Sequence, residues 1–135
     1  MEPTTLDLGV AADDDALAAL AAAVEGWTDA AGVGPGAAAK LQLAVEELAQ
    51  NARTHGGAGR IRVVLTRQGD GLGLVVEDDG SPFDPLLRDP PDTAAPVEER
   101  AVGGLGVHLV RTLFDEVAYE RDGRLNRVRL RLAAA

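Results

Sequence analysis

The chain has 135 residues, 46% of them hydrophobic but with only one Trp, one Tyr and two Phe, and it suits one domain over 1–135 with a core of Leu, Val and Ala. Its formal net charge of −9 excludes general affinity for nucleic acid or an anionic membrane, which need basic patches, and the lack of Cys excludes disulfides, Cys-ligated zinc and thiol catalysis. No apolar run reaches the ~18 residues of a membrane span, and Met1-Glu2-Pro3-Thr4 lacks the basic start and apolar core of a secretion signal, so a cytoplasmic protein is expected.

From Thr4 to Val10, apolar Leu6, Leu8 and Val10 alternate with polar or small residues, which is the strand period. Asp13, Asp14 and Asp15 then precede an Ala-rich stretch through Trp27. Carboxylates at a helix start accept from free N–H groups and favour the dipole, so a helix is expected from about Asp14 to Ala31, with the Asp triplet as a cap rather than a metal site. Gly32-Val33-Gly34-Pro35-Gly36 breaks it. A second helix follows from about Ala37 to His55, with Leu41, Val45, Leu48 and Ala52 as its core stripe and Gly56-Gly57 as its C-cap. Ile61, Val63 and Leu65, then Leu72, Leu74 and Val76, alternate on either side of Gly69-Asp70-Gly71, which predicts a hairpin. Residues 81 to 102 hold five of the seven prolines, at 82, 85, 90, 91 and 96. A loop of that length in a compact domain is either functional or disordered. A third helix, from around Leu105, carries Val107, Leu109, Val110 and Leu113. Val117 and Tyr119 open a strand, Arg121-Asp122-Gly123-Arg124 turns, and Leu125, Val128, Leu130 and Leu132 form the last strand. This order predicts an α+β two-layer sandwich: a mixed, mostly antiparallel sheet with helices on one face.

Three segments carry candidate chemistry. Gly103-Gly104-Leu105-Gly106 leads into an apolar helix. Glycines let the backbone approach an anion, and a helix start offers free N–H groups and a positive dipole. No Gly-Lys-Ser/Thr follows, so it is not a Walker loop, and it follows a loop rather than a strand, which argues against a dinucleotide fingerprint. On the second helix, Glu47, Asn51 and His55 share one face beside the apolar stripe, at the rim of the core, where a cleft can form. Glu46, Gln50 and Arg53 point elsewhere, to a solvated face. An Asn can give Mg²⁺ a carbonyl oxygen, and a Glu can orient or deprotonate a hydroxyl. Asp78-Asp79-Gly80 stands at a strand end, where a carboxylate could accept from an exocyclic amine, or could simply make a turn.

Taken together, Glu-x-x-x-Asn-Ala-x-x-His from Glu47 to His55, then Asp78-x-Gly80, a long loop, and Gly104-x-Gly106-x-x-x-Val110 resemble the GHKL ATPases over nearly the whole chain. The run Ala44 to Ala52, Ser81-Pro82-Phe83-Asp84-Pro85 and Gly103 to Arg111 are similar to bacterial anti-sigma-factor serine kinases. The resemblance implies a Bergerat-type fold binding ATP and Mg²⁺. It also implies phosphoryl transfer to a Ser or Thr of an anti-anti-sigma protein, capture of a sigma factor, and a homodimer. By the same resemblance Glu47 is the general base and Asn51 the Mg²⁺ ligand. Asp78 holds adenine with Gly80 giving room. His55, Gly103, Gly104, Leu105, Gly106 and Val107 complete the nucleotide site, and a lid covers about 81–102.

The chain departs from the pattern in several places. Pro82 stands where a second glycine is usual, and Thr54 where a phosphate-contacting Lys or Arg is often found. Asn126-Arg127 replaces a Gly-Thr near the adenine. The lid carries Asp84, Asp89, Asp92, Glu98 and Glu99 against Arg88 and Arg100. Two alternatives follow: a non-catalytic, nucleotide-gated partner-switching module, or a detached histidine-kinase ATPase domain.

Overall fold

The computed structural model describes residues 4–87 and 104–133; residues 88–103 and the side chains of Leu87 and 104–108 lie outside that description. The lid residues from Arg88 to Arg100 and Gly103 therefore fall outside it. The elements are strand β1 (Thr4–Ala11), helices α1 (Asp14–Ala30) and α2 (Pro35–Thr54), strands β2 (Arg60–Gln68) and β3 (Gly71–Asp78), a 3₁₀ turn (Pro85–Leu87), helix α3 (Gly104–Leu113), and strands β4 (Glu116–Asp122) and β5 (Leu125–Ala133). Every element read from periodicity is present, with ends displaced by a few residues at most. The Asp13 carboxylate accepts from the Ala16 amide at 2.8 Å, so the acidic triplet does open α1 as a cap. Helix α2 begins earlier than expected, at Pro35, because a proline's missing N–H and fixed φ suit the first helical position.

The five strands form one sheet in the order β1-β2-β3-β5-β4. All four pairings are antiparallel, so the mixed sheet allowed by the sequence is in fact uniform. Short turns join β2 to β3 and β4 to β5, and such turns permit only antiparallel neighbours. β5 returns between β3 and β4, which brings Asn126 directly opposite Asp78.

One sheet face carries the apolar set and is covered by the helices. Ile61, Val63, Leu65, Leu74, Val76, Val128 and Leu130 pack with Leu20 and Val24 of α1, Leu41, Val45 and Leu48 of α2, and Val110 of α3. Full burial of each such Val or Leu side chain contributes about 1.5–3 kcal/mol. The other face is polar and crossed by a ladder of charges. Glu77 of β3, although 5% exposed, pairs with Arg62 of β2 at 3.0 Å and Arg127 of β5 at 2.5 Å. Arg62 reaches on to Asp7 of β1, and Arg127 to Glu120 of β4. Burial pushes the Glu77 carboxyl up, but hydrogen bonds and charge from Arg127 and Arg62 outweigh it and hold the group below the usual range.

Where β3 ends, the chain turns against the end of α2. The Ser81 amide donates to the Gly56 carbonyl at 2.8 Å. A Cβ on Gly80 would stand 2.7 Å from the Gly56 oxygen and 2.9 Å from Asp78 Oδ1, so only glycine fits. Beside it, Asp79 Oδ1 accepts from the Gly59 and Arg60 amides at 2.8 and 3.0 Å. Those bonds hold the Asp79 carboxyl below its usual range and assign it to the turn.

Two stability outcomes follow. Gly80→Ala is expected to cost about 1–3 kcal/mol by forcing the turn off α2, read as a fall in thermal midpoint. Glu77→Gln is expected to cost about 1–3 kcal/mol at neutral pH, since it strands two arginines that are themselves partly exposed. Because Glu77 is depressed in the folded state, its contribution is present above the unfolded carboxylate range and is lost as pH falls through the folded value. Urea titrations at neutral and acid pH should converge for wild type and Glu77→Gln; a constant gap would exclude this role.

Candidate nucleotide cleft

Leu48, Asn51, Ala52 and Gly56 of α2 and its C-terminal turn face Val76 and Asp78 of β3, Asn126 and Val128 of β5, and Phe83 and Pro85 of the segment after β3. These ten residues line one narrow cleft at the edge of the core. Its walls are apolar, and three polar side chains converge in it: Asn51, Asp78 and Asn126. That composition suits a small-molecule site, in which a few polar groups orient a ligand between hydrophobic walls, but the space between the walls is about 10 Å³, room for one water, so a larger ligand requires the walls to part.

Asn51 lies deeper than its helical phase alone suggested. It was expected at the rim but is 3% exposed, because β3, β5 and Phe83 close around its side of α2. Its amide nitrogen is buried with no hydrogen-bond partner among the described residues. An unpaired buried polar group costs about 1–3 kcal/mol, so the fold carries an unsatisfied amide that a ligand could complete. Among the described residues no three His, Cys, Asp or Glu converge on a metal position. The open atom is an N–H donor, which suits an acceptor such as a phosphate oxygen; a cation such as Mg²⁺, which takes one protein oxygen and completes its shell with water and phosphate, could use only the carbonyl oxygen of the same side chain.

Glu47 stands one turn before Asn51 and is half-buried, whereas Glu46 is exposed. Burial raises the Glu47 carboxyl above the usual range, and the Glu46 charge adds to the rise. Glu47 does not line the cleft itself. His55 caps α2 in an exposed position, with its ring stacked on Phe83 at 5.3 Å between centroids and 15° between planes. It borders the root of the expected lid. Gly80 is buried against Gly56, so its lack of a side chain makes room first for backbone. Gly104, Leu105, Gly106 and Val107 form the first turn of α3, which packs against α2. Gly103 lies outside the described residues.

The departures also have places. Thr54 turns its hydroxyl back to the Gln50 carbonyl at 2.8 Å, and Arg53 pairs with Asp14 of α1, so neither is directed to the cleft. Arg111 of α3 donates to the Leu86 carbonyl at 2.9 Å, tying α3 to the root of the lid.

Asn126 was read from the sequence only as a departure, yet it is the most connected side chain of the cleft. Its Nδ2 donates to Asp78 Oδ1 at 3.0 Å and to the Ser81 carbonyl at 2.8 Å. Its Oδ1 accepts from the Tyr119 hydroxyl at 2.5 Å, the Arg121 guanidinium at 3.2 Å and the Phe83 amide at 3.3 Å. Arg121 also donates to the Gly80 carbonyl at 2.8 Å. One signal could have found Asn126. It stands in phase with Val128, Leu130 and Leu132 on the apolar face of β5, where a polar side chain must have partners.

The chain matches the histidine kinase-like ATPase domain family over residues 10–132. A serine-protein kinase RsbW from Bacillus pumilus is 35% identical over 92 residues, covering 61% of this chain and 57% of that protein. An RsbW from Halalkalibacterium halodurans is 26% identical over 127 residues, covering 90% of this chain and 78% of its own length. The chain thus spans little more than half the length of the Bacillus relative. The crystal structure of the RsbU and RsbW domains of Rv1364c from Mycobacterium tuberculosis superposes with a TM-score of 0.67 at 17% identity, over 95% of this chain and 31% of that one. At that identity the likeness speaks for the fold, and the fold it shares is the α+β sandwich described above. With a GHKL-type signature and a match across most of its length, the chain belongs to the histidine kinase-like ATPase domain family.

Proposed function

We propose that this chain is a cytoplasmic ATP- and Mg²⁺-dependent serine/threonine kinase that phosphorylates an anti-anti-sigma protein, holds a sigma factor, and works as a homodimer. The observation that carries the nucleotide part is the cleft in which buried Asn51, its amide nitrogen without a partner among the described residues, stands with Asp78 between apolar walls. The RsbW relatives, named serine-protein kinases, support the kinase part. Among the described residues no helix is long and apolar enough to cross a membrane.

In this reading Asp78 accepts from the adenine amine, and Val76, Val128 and Leu48 sandwich the ring. Asn51 offers its carbonyl oxygen to Mg²⁺. Bound Mg²⁺ supplies charge neutralisation for the phosphate oxygens. The first turn of α3 offers backbone N–H groups to the phosphates. Glu47 takes the proton of the partner's hydroxyl as the oxygen bonds to the γ-phosphorus, and the bridging P–O pair leaves with ADP. A carboxyl raised by burial is a better base than an ordinary glutamate, provided that it is deprotonated at working pH.

A second reading, nucleotide-gated binding without transfer, is favoured by Thr54 and Arg53. With one bonded into its own helix and the other paired to Asp14, the end of α2 brings no cation to a triphosphate. Incubating the chain with labelled ATP, Mg²⁺ and an anti-anti-sigma partner separates the two. The kinase reading expects acid-stable label on Ser or Thr, reduced about 10²–10⁴-fold in Glu47→Ala with ATP affinity retained. No label on the partner selects the gated module, and acid-labile label selects a histidine-kinase domain.

Two further outcomes belong to this site. The acid limb of the transfer rate should lie above the range of an ordinary glutamate. It should move to lower pH in Glu46→Gln, because removing that charge lowers the Glu47 value. Asn51→Ala should abolish the Mg²⁺-dependent gain in ATP affinity while changing the thermal midpoint little, since among the described residues the amide nitrogen makes no hydrogen bond to lose. A large loss of stability with the Mg²⁺ gain intact would make Asn51 structural instead.

A further inference from the structure

The Asn126 side chain has an orientation fixed by its partners. Arg121 and the Phe83 amide can only donate, so they require the oxygen. The Ser81 carbonyl can only accept, so it requires the nitrogen, whose other N–H reaches Asp78 Oδ1. That carboxylate oxygen also takes the Gly80 amide at 2.9 Å. Among the described residues, the hydrogen bonds to Asp78 all end on Oδ1, and Oδ2 receives none. Asn126 Oδ1, with three donors of its own, is saturated.

We infer that Asn126 is a specificity-determining positioning residue: by holding one oxygen of Asp78 and saturating its own, it leaves the second Asp78 oxygen as the open anionic acceptor that the cleft, among the described residues, offers a nucleobase. This rests on the nucleotide reading above and adds to it a residue that need not touch the base. A lone anionic acceptor favours a base bearing an amine at that position and disfavours one bearing an oxo group, which would place two acceptors together. Asn126 also fixes the chain around Asp78, since the Ser81 carbonyl and Phe83 amide are bound to the same side chain. The carboxylate is thereby prevented from rotating to meet an oxo base with a different edge.

The test measures ATP and ITP affinity, which differ by that amine and oxo group, for the wild type, Asn126→Ala, Asn126→Asp and Tyr119→Phe. The wild type should prefer ATP. Asn126→Ala should lose on the order of tenfold in ATP affinity while ITP affinity stays within about threefold, so that the preference collapses. Asn126→Asp, isosteric but placing an acceptor against Asp78 and the Ser81 carbonyl, should lose at least as much. Tyr119→Phe removes one of three donors to Oδ1 and should keep the preference. Equal weakening of ATP and ITP in folded variants would reduce Asn126 to a structural role and overturn the inference. If both Asn126 variants fail to fold, Asn126→Thr, which keeps a donor and an acceptor, decides by the same ratio. A wild type that binds ATP without preferring it to ITP overturns the inference and leaves the nucleotide reading standing, whereas one that binds neither removes that reading as well.

Discussion

The cleft depends on one close approach of two backbones. The turn after β3 rests directly on the turn after α2, with the Ser81 amide on the Gly56 carbonyl and no room for a Cβ at Gly80. That contact sets how far the helical layer stands from the sheet at this end of the molecule. It places Asp78 and Asn51, from different layers, in one narrow space. At Gly57 the chain leaves α2 with φ at +65°, a left-handed turn suited to glycine, and so brings the Gly56 carbonyl round to its partner. A side chain at Gly80 would separate the layers, and the polar groups would lose their common cleft before any of them was altered.

Around this contact, polar groups are paired in one region and left open in another. On the outer face Glu77 is buried but held by Arg62 and Arg127, and the ladder of which it is part links all five strands. Charges paired directly across strands also fix the register, because a slip of one residue would place them among the apolar side chains. On the inner face Asn126 satisfies its donors and acceptors, whereas the Asn51 amide nitrogen has no partner among the described residues. Two buried asparagines with opposite hydrogen-bond states in one cleft separate the group that builds the site from the group that is open to a ligand.

Much of this was legible from residue order. The alternation in β2, β3 and β5 gave the strands and their inner face. The Asp13 cap opened α1 and the Gly-rich break separated the two helices, although Pro35, read as part of that break, is the first residue of α2. Helical phase distinguished Glu47 from Glu46, and the two prove half-buried and exposed respectively. Less visible was the depth of Asn51, which a helical wheel places at the rim and the sheet buries. Hidden too was the division of labour in Asp78-Asp79, since Asp78 ends β3 and Asp79 follows it, and only the fold shows that Asp79 is spent on the Gly59 and Arg60 amides.

The sequence by itself determined the elements, the apolar faces and the set of candidate groups, because periodicity, caps and turn residues act over a few positions along the chain. The tertiary structure decided which of those groups share a cleft. Asn126 and Asp78 are 48 positions apart and meet only because β5 returns beside β3. Gly56 and Gly80 meet only because a hairpin carries the chain out and back to the end of α2. Contacts of that range depend on the path of the backbone through space, and no local pattern encodes it.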